Sequence, residues 1–279
     1  MSTQAIPFKE LPLSNNFIFG QVMRNPTVCK LFLEALLQKS IGKVVYIDKE
    51  KDFADTIGAH GIRLDIYLED EHSTRYNIEM QCVNQKDLER RIRYYQSGID
   101  RNFLERSSKY ADLPESYVIF ICDFDYYKAG LAMYERECTV KGTGIPYKDG
   151  SHAIILNTKY QESGGVHKDI LEFLDYIRTN DGEIPVFGQL TKLARELSDE
   201  VRSDSKKEVA YMRLQNLLEE KLEQGFEQGF EQGKEKGGYL MLLRLYREGA
   251  ISLDKAAKSC GMSETEFLKR VEENGDQDT

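Results

Sequence analysis

Two acidic residues, Asp65 and Glu79, lie in short alternating segments of the chain that favour β-strands. The segments are residues 61–68 (GIRLDIYL) and residues 76–81 (YNIEMQ), and polar and apolar residues alternate in both. This period of two is typical of a strand with one buried face. The connection EDEHSTR is polar and short enough for a hairpin. The sequence therefore predicts an antiparallel hairpin.

A hairpin that is symmetric about His72 places Asp65 directly opposite Glu79. Residues that face each other across an antiparallel pair project from the same side of the sheet, with Cβ atoms ~5 Å apart. Two carboxylates at that distance repel each other unless a cation lies between them. Because Gln81 shares this face, the pattern predicts a site for a hard divalent metal such as Mg²⁺.

The alternative is that these acids lie on a solvated outer face of the hairpin, as most Asp and Glu side chains do. The neighbouring residues Arg63 and Asn77 make the whole face polar. Tyr67 and Tyr76, however, indicate that the face is partly covered by another element. A partly covered face favours a metal site at Asp65 and Glu79 over a solvated surface.

Four segments of the chain, in order, resemble a known nuclease family. The segments GIRLDIYLED, YNIEMQ, LERRIRYYQSGID and YVIFICDFD are similar to the PD-(D/E)XK nuclease superfamily. More narrowly, they resemble the Rpn group of recombination-promoting nucleases and transposases. The similarity runs from about residue 11 to about residue 179. The family motif is an Asp, a short hairpin and then Glu-x-Lys or Glu-x-Gln, and it matches Asp65 and Glu79-Met80-Gln81.

The resemblance implies hydrolysis of DNA phosphodiester bonds with Mg²⁺, or another divalent metal, as cofactor. Asp65 and Glu79 are the implied metal ligands. Gln81 stands where many relatives carry a Lys, and its amide can hydrogen-bond a water but brings no positive charge. Arg91 and Arg93, in a segment that resembles the family's arginine-rich helix, are candidates for that charge. The alternative is that both arginines lie on a solvated helix edge.

Relatives often have an Asp near the N-terminus, just before an aromatic-x-Phe, where this chain has Asn16 in the segment SNNFIF. An Asn oxygen can coordinate Mg²⁺ without adding negative charge, so Asn16 is a third candidate ligand. Alternatively, Asn16 only caps the following helix. Asn16 and Gln81 together keep a second function open. In it, a nuclease fold with weak or no turnover serves as a nucleic-acid-binding or protein-interaction module.

Composition limits the classes of protein to which the chain can belong. With 279 residues, 41% of them hydrophobic, it is long enough for a main domain and a smaller unit. The five cysteines lack CxxC spacing, which argues against a disulfide framework or a zinc site and fits a reducing cytoplasm. No signal peptide and no apolar run of ~20 residues is found, so a cytoplasmic protein without a membrane span is expected.

The net charge of −9 disfavours nucleic acid as a partner. Charge is unevenly distributed, however, since residues 86–109 contain seven basic and four acidic side chains. This positive stretch directly follows the predicted metal site. DNA therefore stays the expected partner.

The elements that must position the candidate residues follow helix and strand periods. Helices are predicted at 26–38, 87–104 and 168–178, and strands at 43–47, 116–122 and 153–156. The nearly continuous apolar run 116–122 is typical of a strand covered on both faces. Asp123 and Asp125, which follow it, are interpreted as turn residues. Helices that alternate with a mixed sheet predict an α/β fold, a restriction-endonuclease-like mixed sheet flanked by helices with a helical C-terminal tail.

Three regions are predicted: a nuclease-like domain at 1–180, a charged helical linker at 181–238, and a small helix-turn-helix-like unit at 239–279. The linker has a Gly at every fourth position from Gly225 to Gly237, and each Gly weakens a helix by ~1 kcal/mol relative to Ala. The Gly row allows close approach of a second backbone, which predicts a homo-oligomer; a semi-flexible tether is the alternative. The last predicted helix is acidic, which disfavours DNA reading by this unit.

Overall fold

The computed structural model describes residues 6–46, 66–104, 109–179 and 185–273. Asp65 and Arg63 lie outside these residues. In the described part of the chain, no helix is long and apolar enough to cross a membrane.

Six strands form one mixed sheet in the order β1-β2-β3-β4-β8-β5. Strands β3, β4 and β8 run parallel, whereas β1, β2 and β5 pair antiparallel with their neighbours. A separate two-stranded sheet pairs β6 with β7. The bounds are β1 Val45–Tyr46, β2 Ile66–Glu69, β3 Arg75–Gln81, β4 Ser116–Cys122, β5 Met133–Glu135, β6 Thr139–Val140, β7 Ile145–Pro146 and β8 Ser151–Asn157.

The described residues also contain eight α-helices. They are α1 Asn16–Met23, α2 Pro26–Leu37, α3 Leu88–Leu104, α4 Lys168–Thr179, α5 Gln189–Ser203, α6 Ser205–Arg247, α7 Leu253–Ser259 and α8 Glu264–Glu273. The predicted fold class, a mixed sheet flanked by helices with a helical C-terminal region, is confirmed. Strand β4 has the predicted ends, and its apolar run is buried because elements cover both of its faces.

Helix α3 covers one face of the sheet, which we call the α3 face. Ile92 and Ile99 of α3 pack there on Val118 and Phe120 of β4 and on Ile155 of β8. The helix forms because its apolar residues recur every three or four positions and so make a single stripe. The polar residues of β3 lie on this same face, beneath the helix.

The chain divides into two compact units, Met1–Val209 and Ala210–Thr279. Helix α6 is continuous through the Gly repeat and extends into the segment 239–279 that was predicted as a separate helix-turn-helix-like unit. In the second unit, Ala256, Ala257 and Phe267 form a small buried core. Gly249 and Gly261, which follow the C-terminal ends of α6 and α7, adopt the left-handed conformation with φ of 73° and 64°.

Candidate active site

The β2–β3 hairpin has the predicted register. Ile66 pairs with Ile78, Tyr67 with Asn77 and Leu68 with Tyr76, so the hairpin is symmetric about His72. Asp70 fixes the turn, because its Oδ1 accepts hydrogen bonds from the backbone N–H of His72 at 2.9 Å and of Thr74 at 3.0 Å. The register is thus set by local turn chemistry as well as by burial.

Glu79 is a buried acid. Its side chain lies on the α3 face and only 4% of the residue is exposed, so the solvated outer face considered for this acid is not what the fold provides. Asn77, two residues earlier on the same face, is fully buried and donates a hydrogen bond from Nδ2 to Glu79 Oε1 at 3.0 Å. Burying a carboxylate is costly unless it is hydrogen-bonded or paired. The Asn77 amide therefore orients Glu79 and offsets part of that cost.

The remaining polar atom of Asn77 is left without a partner. Its Oδ1 is buried and accepts no hydrogen bond from the described residues. An unsatisfied buried oxygen is rare and costs ~1–3 kcal/mol. A water or a hard cation would satisfy it. The sequence placed Asn77 on the correct face and indicated that this face is partly covered, but the complete burial of Asn77 depends on α3.

Gln81 and Arg91 are in direct contact. Gln81 Oε1 accepts a hydrogen bond from Arg91 Nη1 at 2.7 Å, and Gln81 Nε2 donates to the carbonyl oxygen of Val83 at 2.6 Å. Both ends of the Gln81 amide are therefore in use. Gln81 holds the guanidinium of Arg91 in place, and Arg91 brings to this position the positive charge that the Gln81 side chain lacks.

The Arg91 guanidinium is fixed from three sides. Besides Gln81, it donates from Nη2 to the hydroxyl of Tyr95 at 3.0 Å, and its Cζ lies 5.2 Å from the centroid of the Phe120 ring. Partial burial alone would lower the pKa of Arg91. The Tyr95 hydrogen bond and the negative charge of Glu79 outweigh this effect, so the pKa is raised. Arg91 is a permanent, preorganised cation on the α3 face.

Arg93 lies elsewhere. Its side chain is exposed and lines a polar cavity of about 410 Å³ together with Gln96, Asp100 and Ser116. Ser116 is the first residue of β4, whereas Gln81 pairs with the last residue of that strand. Of the two arginines proposed to supply the charge, the structure brings only Arg91 to Gln81.

Asn16 is not the helix cap. The side chain of Asn15 accepts the hydrogen bond from Phe17 N at 3.0 Å, and Asn16 is the exposed first residue of α1. The start of α1 nevertheless lies near the end of β3, because Cys82 Sγ donates to the carbonyl oxygen of Ser14 at 3.1 Å. Asn16 as a metal ligand stays a prediction.

The two acids after β4 have structural partners. Asp125 accepts hydrogen bonds from Lys128 N, Gly130 N and the Tyr134 hydroxyl, and so orders its loop. Asp123 forms an ion pair with Lys159 at 2.8 Å. Their interpretation as turn residues agrees with these contacts.

The described donors suit a hard divalent cation. A carboxylate and a buried, unsatisfied amide oxygen are the ligand types that Mg²⁺ and Ca²⁺ prefer. Asp65, the partner acid from the sequence, lies outside the described residues. Within the described ranges, no group of three or more His, Cys, Asp and Glu side chains could hold a metal ion.

Comparisons with known proteins agree with the sequence motifs. Neither the curated proteins nor the solved structures contain a match to the chain. A family model described as PD-(D/E)XK nuclease family transposase matches residues 16–157, which is more than half of the 279 residues. The matched region holds the hairpin, Glu79, Gln81, Arg91 and the three parallel strands. The chain belongs to the PD-(D/E)XK nuclease family transposases.

Proposed function

We propose that the protein is a divalent-metal-dependent DNA endonuclease that hydrolyses phosphodiester bonds, acting in recombination or with mobile elements. The observation that carries the proposal is the buried carboxylate of Glu79 on the same sheet face as the fixed guanidinium of Arg91. In a member of this nuclease family, a buried acid at the position of Glu79 can serve as a metal ligand, whereas a solvated surface acid needs no such role.

Asp65 and Glu79 are proposed to hold the metal, which when bound would polarise the phosphate and lower the pKa of an attacking water. Asn77 keeps the Glu79 carboxylate in one orientation, so that no rearrangement is needed when a cation binds. Arg91 donates hydrogen bonds to Gln81 and to Tyr95, and these two bonds fix the position of its positive charge. A preorganised cation of this kind stabilises the negative charge that develops on a phosphate in the transition state.

The test is DNA cleavage by the full chain. We expect the wild-type protein to nick or cut plasmid DNA with Mg²⁺ and not with EDTA. Asp65→Ala and Glu79→Ala should each abolish cutting while thermal melting shows a folded protein. Glu196→Gln, a change at an exposed acid of α5, is the control and should cut normally. Metal-dependent cutting that survives both alanine changes contradicts the proposal.

Variants at the remaining predicted residues rank their importance. Arg91→Ala should reduce the cutting rate about 10²–10³-fold, as loss of one transition-state donor does. Arg93→Ala should have a small effect, because its side chain lines the polar cavity at the start of β4. Asn16→Ala should weaken the apparent affinity for Mg²⁺ if Asn16 is a ligand, and leave it unchanged otherwise.

A second function is a nuclease fold without turnover that serves as a binding module. The observation in its favour is that both ends of the Gln81 amide are engaged, by Arg91 and by Val83, so that Gln81 is not free to orient a water. Calorimetry with Mg²⁺ discriminates, because a binding module has no need of a metal at the hairpin. Binding of DNA with neither metal uptake nor cutting supports the module.

We also propose that the protein works in the cytoplasm. All five thiols are free, which fits a reducing compartment.

We propose further that the protein self-associates through α6. On this helix, Leu222 and Phe226 are 75% and 74% exposed. If these side chains form an interface between two copies, Leu222→Lys should convert the sedimenting species to a monomer; an unchanged sedimentation coefficient contradicts self-association through this helix.

A further inference from the structure

An aromatic cleft lies on the other side of α3 from Gln81 and has no role in the proposed cleavage step. Its volume is about 490 Å³. Ile92, Ala153 and Ile155 line its apolar part, and Tyr127 and Tyr134 line its aromatic part. A concave, mostly apolar cavity with a few polar groups at its edge is the usual form of a site for a small flat ligand.

Tyr127 is exposed, whereas Tyr126 and Tyr134 are half-buried, and the three rings hold one another in place. Tyr127 is 48% exposed, and its ring meets those of Tyr126 and Tyr134 edge to face with centroids 5.0 Å apart in each case. The Tyr134 hydroxyl donates to Asp125 Oδ1 at 2.7 Å, and the Tyr126 hydroxyl donates to Glu89 of α3. Because these rings are already ordered, a ligand that stacks on them loses little affinity to ordering.

The cleft lies on the same face of the sheet as the candidate active site, and α3 lies between the two. Glu79 of β3 pairs with Phe120 of β4, which pairs with Ile155 of β8 in the cleft. Two strand spacings separate Glu79 from Ile155, or roughly 10 Å. That distance equals about three stacked nucleotides of one DNA strand. Because α3 covers Phe120 between these two residues, a strand with a phosphate at Glu79 must pass around the first turn of the helix. Its path is longer than the straight-line distance, and a base several nucleotides away reaches the cleft.

We infer that the aromatic cleft binds an unstacked nucleobase of the DNA strand that is cut. This inference rests on the proposed nuclease function, which brings DNA to the α3 face. A base inside a duplex has both faces covered by its neighbours, so only an unpaired or flipped-out base can stack on Tyr127. The substrate is accordingly single-stranded or locally melted DNA.

The charges at the edge of the cleft suggest which bases it prefers. Glu135 and Glu137 are exposed there, next to Arg136. Carboxylates accept hydrogen bonds from the exocyclic amino groups of cytosine and adenine, whereas thymine offers no such group. The same carboxylates repel phosphates, so the backbone of the strand passes over Arg90 and Arg91 in the first turn of α3, whereas Glu89 of that turn lines the cleft. We expect cytosine and adenine to bind more tightly than thymine.

The test measures DNA binding by the full chain in EDTA, where the proposed hydrolysis cannot occur. The probes are fluorescent oligo-dC and oligo-dT of about 12 nucleotides, within the site size of single-strand binders, and a duplex of the same length. Tyr127→Ala should weaken binding of oligo-dC roughly 5- to 150-fold, which is the effect of losing one stacked base, and leave duplex binding unchanged. Tyr127→Phe keeps the ring and should bind oligo-dC normally. So should Tyr110→Ala, which removes a tyrosine that is 83% exposed and outside the cleft.

An independent measurement uses the unaltered protein. A 2-aminopurine base in the single strand should lose fluorescence on binding, because stacking on tyrosine quenches it. Unchanged fluorescence, or equal losses of strand and duplex binding in Tyr127→Ala, overturns the inference. If the cleft instead receives a basic side chain of another protein, Tyr127→Ala leaves oligo-dC binding unchanged, and the inference is refuted. The binding test is done in EDTA and so does not depend on the cutting test. Failure to cut DNA with Mg²⁺ refutes only the proposed function, and failure of Tyr127→Ala to weaken oligo-dC binding refutes only the base-binding role.

Discussion

Replacing Glu79 by Gln should remove the response of the protein to Mg²⁺ while leaving the fold intact. Gln has nearly the same shape as Glu and keeps an oxygen that can accept the 3.0 Å hydrogen bond from Asn77 Nδ2. It lacks the negative charge of the carboxylate, so its oxygen is a much weaker ligand for a hard cation. The change therefore separates a metal-binding role of Glu79 from a purely structural one.

The expected size of each effect follows from the burial and the hydrogen bond of Glu79. A hydrogen bond to a charged group contributes ~1.5–3 kcal/mol and a neutral one ~0.5–1.5 kcal/mol, so the Asn77 bond weakens by about 1 kcal/mol. Relief from burying a charge in a residue that is 4% exposed acts in the opposite direction. In EDTA, the melting temperature should therefore fall by no more than about 4 °C.

The metal effect on the wild-type protein is larger. A ligand at one hundred times its dissociation constant stabilises the folded state by about 2.7 kcal/mol. For a domain of this size, that corresponds to a rise in melting temperature of roughly 5–11 °C. The variant should lose most of this rise, because one of its two proposed anionic ligands is gone.

The assay is thermal melting by circular dichroism in EDTA and in a series of Mg²⁺ concentrations. Glu196→Gln, at an exposed position of α5, removes one negative charge in the same way and should respond to Mg²⁺ as the wild type does. If Glu79→Gln melts at a higher temperature in Mg²⁺ by the same amount as the wild type, Glu79 is not a metal ligand. If it is unfolded in EDTA, the Glu79 carboxylate is required for folding, and a role in metal binding alone is refuted.

Three further predictions test the site and the residues around it. Asn77→Asp places a second carboxylate about 3 Å from that of Glu79. The variant should be less stable by about 2–4 kcal/mol in EDTA and should respond more strongly to Mg²⁺ than the wild type; an unchanged melting temperature in EDTA contradicts the contact. Burial raises the pKa of Cys29 and Cys122 to about 12. A thiol reagent at about pH 8 should therefore label these two cysteines only after unfolding. Rapid labelling in the folded protein would show that they are accessible. The hydrogen bond from Tyr126 lowers the pKa of Glu89, so its contribution to stability is present above the ordinary pKa of Glu and is lost as the pH falls through the lowered pKa of the folded state. Tyr126→Phe should therefore lower the melting temperature more at neutral pH than in acid, and an equal loss at both contradicts this assignment.

Much of the fold could be predicted from local patterns. The alternation in residues 76–81 gave a strand, and the polar connection gave a hairpin whose symmetry about His72 is observed. The apolar run of β4 and the stripe of α3 were predicted to within one residue at each end. These features depend on which side chains share a face, and spacing along the chain decides that directly.

The helix ends were less accessible to sequence reasoning. Asn15 and Asn16 are adjacent residues of the same type, and only the backbone conformation shows that Asn15 caps α1. The Gly repeat looked like a weak point of a helix, whereas α6 runs through it. Intrinsic propensity is a small energy per residue, and context overrides it.

The sequence by itself determined the family, the alternation of the hairpin and the face on which Asn77, Glu79 and Gln81 lie. Tertiary structure alone decided that α3 packs over this face, which buries Asn77 and Glu79 and brings Arg91, but not Arg93, to Gln81. It also placed the aromatic cleft two strands from Glu79. The physical reason is that the period of a strand is a local property, whereas burial and contact depend on which distant segment covers the strand.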